Sequence, residues 1–243
     1  MWFPPTSELL AEKAATRIVS VADFAFSGIS PSDLSDARIE EGLLKNGLYV
    51  AIRRADPPTY KKILERVGEG VRRGRTILEM RAEVSPLVEA LFFELLPYAS
   101  DDNLIAFTQA LVRHMGILGN RNSYDCYFYV NPDKLDPSAF NAMTERYKEL
   151  FDEEGQLEAR ILSEHSGKNR SIPGEKEVAS SLNQVMSALR GRFGDSVDLL
   201  SAENVAPERY RAYCEVLTSM YTIALKLPPQ KTAQLLRHLY AQK

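Results

Sequence analysis

Proline punctuates this chain, and it does so where helices begin. Ser30-Pro31, Asp56-Pro57, Ser85-Pro86 and Asp136-Pro137 each set a capping side chain before a proline, and Ala206-Pro207 and Pro228-Pro229 repeat the break without the cap. Proline at the first position of a helix gives up an N–H that has no partner there, and Ser or Asp before it accepts one of the remaining orphan N–H groups. Behind these marks apolar residues recur three and four apart, the period of one helical face.

Taken in order, the pattern predicts a first helix from Thr6 or Ser7 to about Phe26, and a second from Ser30-Pro31 to a left-handed cap at Asn46-Gly47. Leu48 to Ile52 is too short to decide between a strand and a helical turn. Asp56-Pro57 opens a helix with Tyr60, Ile63, Leu64, Val67 and Val71 on one face, weakened by Gly68, Gly70 and Gly74. Thr76 to Leu96 is strongly apolar, and Ser85-Pro86 either kinks or divides it. Its second part carries Leu87, Val88, Leu91, Phe92 and Leu95 on most sides and is predicted to be the most buried helix.

A helix capped at Ser100 is expected to end at Gly116 and Gly119. Another runs from Asp136-Pro137 to Phe151 and ends in Asp152, Glu153 and Glu154, whose charges oppose the dipole of a C-terminus and argue for fraying or a local partner. Further helices are expected from about Glu175 to Phe193, after Ala206-Pro207, and after Pro228. The fold expected is all-α: an irregular array of eight to ten helices, orthogonal or bundle-like. It occupies a single domain over residues 1–243, with a loop-rich seam at 163–174, where SEHSGKNRSIPG holds two glycines and a proline.

One stretch departs from the helical rhythm. Gly119 to Phe140 gathers Tyr124, Tyr127, Phe128 and Tyr129 around Cys126, one of only two cysteines. A sparse, even cysteine count fits a single bridge in an oxidising compartment. Cys126 joined to Cys214 would close a loop of 88 residues, worth at most roughly 4–5 kcal/mol through lost unfolded-chain entropy. The alternative is two buried free thiols acting as small apolar side chains. A third reading makes Cys126 a nucleophile with His114 as its base. A helix capped at Ser123 would favour the thiolate it needs, whereas Asp125 and the aromatic neighbours oppose it.

Other chemistry finds little footing. His114, His165 and His238 are scattered, no close Cys or His pair gives metal-ligand spacing, and Asp152-Glu153-Glu154 lacks the alternation of a calcium loop. GEGVRRG has neither the strand before it nor the Lys-Ser/Thr after it that a phosphate loop requires. Neither a metal nor a cofactor is expected. The formal charge is −3 overall, yet residues 53–81 carry nine Lys or Arg against four acids. Arg53, Arg54, Lys61, Lys62, Arg66, Arg72, Arg73 and Arg75 form a candidate patch for an acidic partner or an anionic membrane surface. The simpler reading is a solvated helix face balanced by acids elsewhere, such as those from Glu145 to Glu158. Nucleic acid is disfavoured, because only Tyr60 is in range to stack on bases.

No apolar run reaches the roughly 18–20 residues of a membrane span, and no basic-then-apolar leader opens the chain. Met1-Trp2-Phe3-Pro4-Pro5 reads either as the exit of a membrane helix, since Trp favours the bilayer interface, or as an apolar arm. The functional expectation is a non-catalytic helical binding or scaffolding domain with a protein partner, the extracytoplasmic (periplasmic) part of a membrane-anchored bacterial protein. The alternatives are an enzyme assembled around Cys126 and His114, and a cytoplasmic adaptor that self-associates.

Overall fold

The computed structural model describes residues 35–164 and 170–242, and every regular element in them is helical. In chain order the α-helices are α1 (Asp36–Leu43), α2 (Gly47–Ala55), α3 (Pro57–Arg72), α4 (Ile77–Leu95), α5 (Asp101–Arg121), α6 (Ser123–Tyr129), α7 (Pro137–Arg146), α8 (Lys148–Ser163), α9 (Glu175–Phe193), α10 (Tyr210–Ala224) and α11 (Pro229–Ala241). Short 3₁₀ turns lie at Leu96–Tyr98, Pro132–Lys134, Gly194–Ser201 and Pro207–Arg209. The all-α expectation holds, but eleven helices among the described residues exceed the eight to ten expected. The helix expected from Thr6 to Phe26, the Trp2 region and His165 lie outside the described residues. The described residues pack as two compact units, 35–95 with 137–164 and 96–136 with 170–242. Of the seam expected at 163–174, Ser163 ends α8 and 170–174 have no regular structure.

Local chemistry sets the breaks of the first unit. Asn46 is extended (φ −98°), and its Oδ1 accepts the Leu48 N–H at 2.8 Å. It therefore starts α2 instead of closing α1. Leu48, Tyr49, Ala51 and Ile52, ambiguous in sequence, turn inward as a helix, and α2 lies along α8 with its buried Phe151, Ile161 and Leu162. Of the two readings of the acids after Phe151, the local partner is the one found for Asp152: α8 begins at Lys148, whose ammonium pairs with Asp152 at 2.9 Å one turn on, and the helix runs on past it. Farther along the same helix Glu154 and Glu158 are buried.

The glycines of α3 have separate reasons. Gly74 takes φ +65°, and the N–H groups of Arg75 and Gly74 reach the carbonyls of Gly70 (2.9 Å) and Val71 (3.0 Å). This is a Schellman turn, which needs the left-handed residue glycine supplies. At Gly70 a Cβ would stand 2.6 Å from Met80 Cγ, so α3 and α4 approach through the missing side chain. α4 then runs through Pro86 as one helix, with the Ser85 hydroxyl donating to the Arg81 carbonyl at 2.8 Å.

In the second unit α10 is central: it packs on α5, α6, α9 and the 194–201 turn, and it buries Tyr213, Val216, Leu217, Met220 and Tyr221. Ser100 caps α5, its hydroxyl accepting the Asn103 N–H at 3.3 Å. α5 does not end at Gly116 or Gly119 but continues through both to Arg121. α11 is tied to the start of α5 by Arg237, only 5 % exposed. Its guanidinium donates to the Pro97 carbonyl, to the Ala99 carbonyl at 3.0 Å, and to Asp101 Oδ1 at 2.5 Å. His238 beside it is also buried; Nδ1 lies 2.9 Å from the Pro173 carbonyl, so that nitrogen carries the proton and donates.

Candidate functional site

α6 is seven residues long and almost wholly buried. Its cap is Asn122 rather than Ser123: the Asn122 Oδ1 accepts the Tyr124 N–H at 2.9 Å. Cys126 therefore sits one full turn into the helix, facing α10, and is bonded to Cys214 with the two Cα atoms 6.3 Å apart. That separation lies within the roughly 4.4–6.8 Å that a bridge spans. Cys126 is 0 % and Cys214 3 % exposed, so the bond is enclosed in the second unit. With both sulfurs bonded, no thiol stands at position 126 to act as a nucleophile unless the bridge is reduced. His114, the base proposed for it, is buried on α5 with Nδ1 2.9 Å from the Tyr129 hydroxyl.

The aromatics of this stretch pack on α10. Tyr127 stacks on Tyr210 with centroids 3.8 Å apart and planes 8° from parallel, and it meets Tyr213 edge-on at 5.3 Å. Phe128 meets Tyr210 at 5.7 Å and Tyr124 at 4.4 Å. Tyr124 is the rim of the cluster, 46 % exposed. The Asn131 amide donates to the Tyr127 carbonyl at 2.9 Å and approaches the Tyr213 hydroxyl at 3.5 Å. Burial pushes the Tyr213 phenol well above the usual tyrosine value, with the Asn131 amide opposing the shift.

Beside the disulfide a cleft of about 230 Å³ opens among α5, α6, α9 and α10, with Cys214 in its wall. Gly116 and Gly119 leave its α5 side open, and a Cβ on Gly119 would touch the Cys126 sulfur at 3.8 Å. Asn120, Ser123, Thr218 and Ser219 supply polar groups. Three charged side chains complete the lining: Arg192 from the last turn of α9, and Arg211 and Glu215 from α10. The Arg192 guanidinium lies 4.9 Å from the centre of the Phe193 ring. Neither Arg192 nor Arg211 forms an ion pair among the described residues, whereas Arg190 pairs with Asp198 at 3.1 Å. A second cleft, of about 240 Å³ and largely apolar, lies between α2 and α8 beside Gly47 and Gly155.

The basic segment is scattered over α2, α3 and the turn after α3, and acids of its own unit meet most of it. Arg53 pairs with Glu40 (3.5 Å), Lys61 with Glu65 (3.9 Å), Arg72 with Asp36 (2.8 Å), Arg73 with Glu69 (2.5 Å) and Arg75 with Glu83. Arg66 donates to the Glu83 carbonyl at 3.4 Å. Arg54 and Lys62 have no ion pair among the described residues. These partners, Asp36, Glu40, Glu65, Glu69 and Glu83, lie in the same stretch of chain as the cations they meet.

Sequence reasoning singled out the disulfide partners and the Gly119–Phe140 stretch but missed Arg192 and Arg211. Nothing local marks them; they meet only because the 194–201 turn brings the end of α9 to the start of α10. Among the described residues no helix is long and apolar enough to cross a membrane, and no three His, Cys, Asp or Glu side chains gather as a metal site. Comparisons with protein-family models, with curated proteins and with solved structures found no match.

Proposed function

We propose that this chain is a non-catalytic helical binding or scaffolding module, membrane-anchored and working in an extracytoplasmic compartment. The observation that carries the reading is the buried Cys126–Cys214 bond between α6 and α10. A crosslink at this position is favoured where thiols are oxidised, and it leaves neither cysteine available for nucleophilic chemistry. The cleft beside it and the exposed rim at Tyr124 support binding.

The test is a thiol count on protein alkylated at the moment its cells are broken. No thiol before reduction and two after it are expected. Two alkylated cysteines at harvest would place the protein in a reducing compartment and end this reading. One fast-reacting thiol would replace it with an enzyme built around Cys126 and His114.

A further inference from the structure

We infer that the cleft beside the disulfide binds a carboxylate group, carried by a small polar acid or by an acidic segment of a partner, between Arg192 and Arg211. The inference rests on the reading of this domain as a binding module and names the ligand class.

Two guanidinium groups with no carboxylate of their own line one cleft, although the neighbouring Arg190 has found Asp198. Arg211 is the second residue of α10, where the helix dipole already disfavours a cation. An anion held by the Arg211 guanidinium relieves that repulsion. Arg192 is steadied by the Phe193 ring, an arrangement that holds the plane of the guanidinium while its N–H edge stays available to a carboxylate.

The third charge selects the anion. Glu215 lines the same cleft one turn after Arg211, so the lining carries one net positive charge. That suits a single carboxylate better than a doubly charged phosphate, and it leaves Glu215 to accept a hydroxyl or amide N–H from the rest of the ligand. Asn120, Ser123, Thr218 and Ser219 offer further donors and acceptors for a polar body. At about 230 Å³ the cleft falls below the roughly 300 Å³ at which drug-sized pockets begin. The bound part is therefore no larger than one or two amino-acid residues.

The experiment uses the intact, disulfide-bonded protein and two probes, N-acetylserine and an acetylated acidic hexapeptide, each followed by backbone amide shifts in NMR. The N-methylamide of N-acetylserine is the uncharged control. Dissociation constants on the order of 0.1–1 mM are expected for contacts of this kind in an open cleft. Binding by N-acetylserine assigns a free small acid, and binding by the hexapeptide alone assigns a partner's acidic segment; either supports the inference. Arg192→Gln and Arg211→Gln, both at exposed positions, are each expected to weaken binding by about 5–10-fold. Arg209→Gln, an exposed cation outside the lining, is expected to change nothing. No shift from either probe at 10 mM overturns the inference, as does equal binding of the uncharged amide or an equal loss in Arg209→Gln. The thiol count reads the compartment independently of these titrations, so failure of one reading is distinguishable from failure of the other.

Discussion

Replacing Cys126, Cys214 or both by alanine measures what the bridge contributes, and the structure sets the size of the effect. The bond closes a loop of 88 residues. The chain-entropy relation gives about 15 cal/mol/K for that length, or about 4.6 kcal/mol at 25 °C. Either single variant loses the whole bond together with a small local packing loss, because the remaining cysteine has no partner. The double variant loses the bond once and the packing twice. The double-mutant cycle should therefore show a coupling of about 4–5 kcal/mol, with the double variant only slightly less stable than either single one. Urea unfolding with and without reductant is the assay. Reductant should lower the wild-type stability by a similar amount and leave all three variants unmoved. Single-variant losses that add to give the double-variant loss, or a wild type indifferent to reductant, would refute the reasoning.

Three further outcomes follow from residues described above. Arg237→Ala strips two carbonyls and Asp101 of a buried partner and should cost about 3–5 kcal/mol in urea unfolding. Arg237→Lys should recover less than half, since one ammonium cannot reproduce the fork, and a loss below 1 kcal/mol for the alanine would show that the clamp is incidental. Gly74→Ala should cost about 1–2 kcal/mol because φ is +65° there, while the same change at exposed Gly191 should be neutral or stabilising. Burial raises the phenol pKa of both Tyr49 and Tyr213, so their neutral forms are favoured in the fold. Their contribution is intact below the unfolded value near pH 10 and falls as pH rises above it, by about 1.4 kcal/mol per pH unit for each. Equal urea midpoints at pH 9 and pH 11 would contradict this.

The helices that could be read from sequence are those whose ends carry their own chemistry. Ser100 capping α5, Asp56-Pro57 opening α3, and Glu175 to Phe193 as α9 need only local rules, and they stand as expected. The misreadings occur where a residue has two local uses or where packing decides. Asn46 suits a helix end and a helix start equally well, and the pairing of α2 with α8 selects the start. Gly116 and Gly119 each weaken a helix by about 1 kcal/mol, but α5 carries them through to Arg121 beside the Cys126 sulfur. The acids after Phe151 oppose a helix end only if the helix ends there, and it does not. For the candidate site, two cysteines allowed a single pairing, so the partners were legible while their meeting was not. Arg192 and Arg211 left no local trace, because a cleft formed by side chains from separate helices has no spacing in the sequence.

The bridge also makes part of the chain a covalent ring. Between Cys126 and Cys214 the polypeptide leaves the second unit, supplies α7 and α8 to the first, and returns. A single proteolytic cut anywhere from 127 to 213 therefore opens the ring without releasing a fragment. The nicked protein would run as one species on a non-reducing gel and as two after reduction. α7 and α8 would remain tethered at the cut ring's two anchored ends, close enough to reassemble instead of diffusing away.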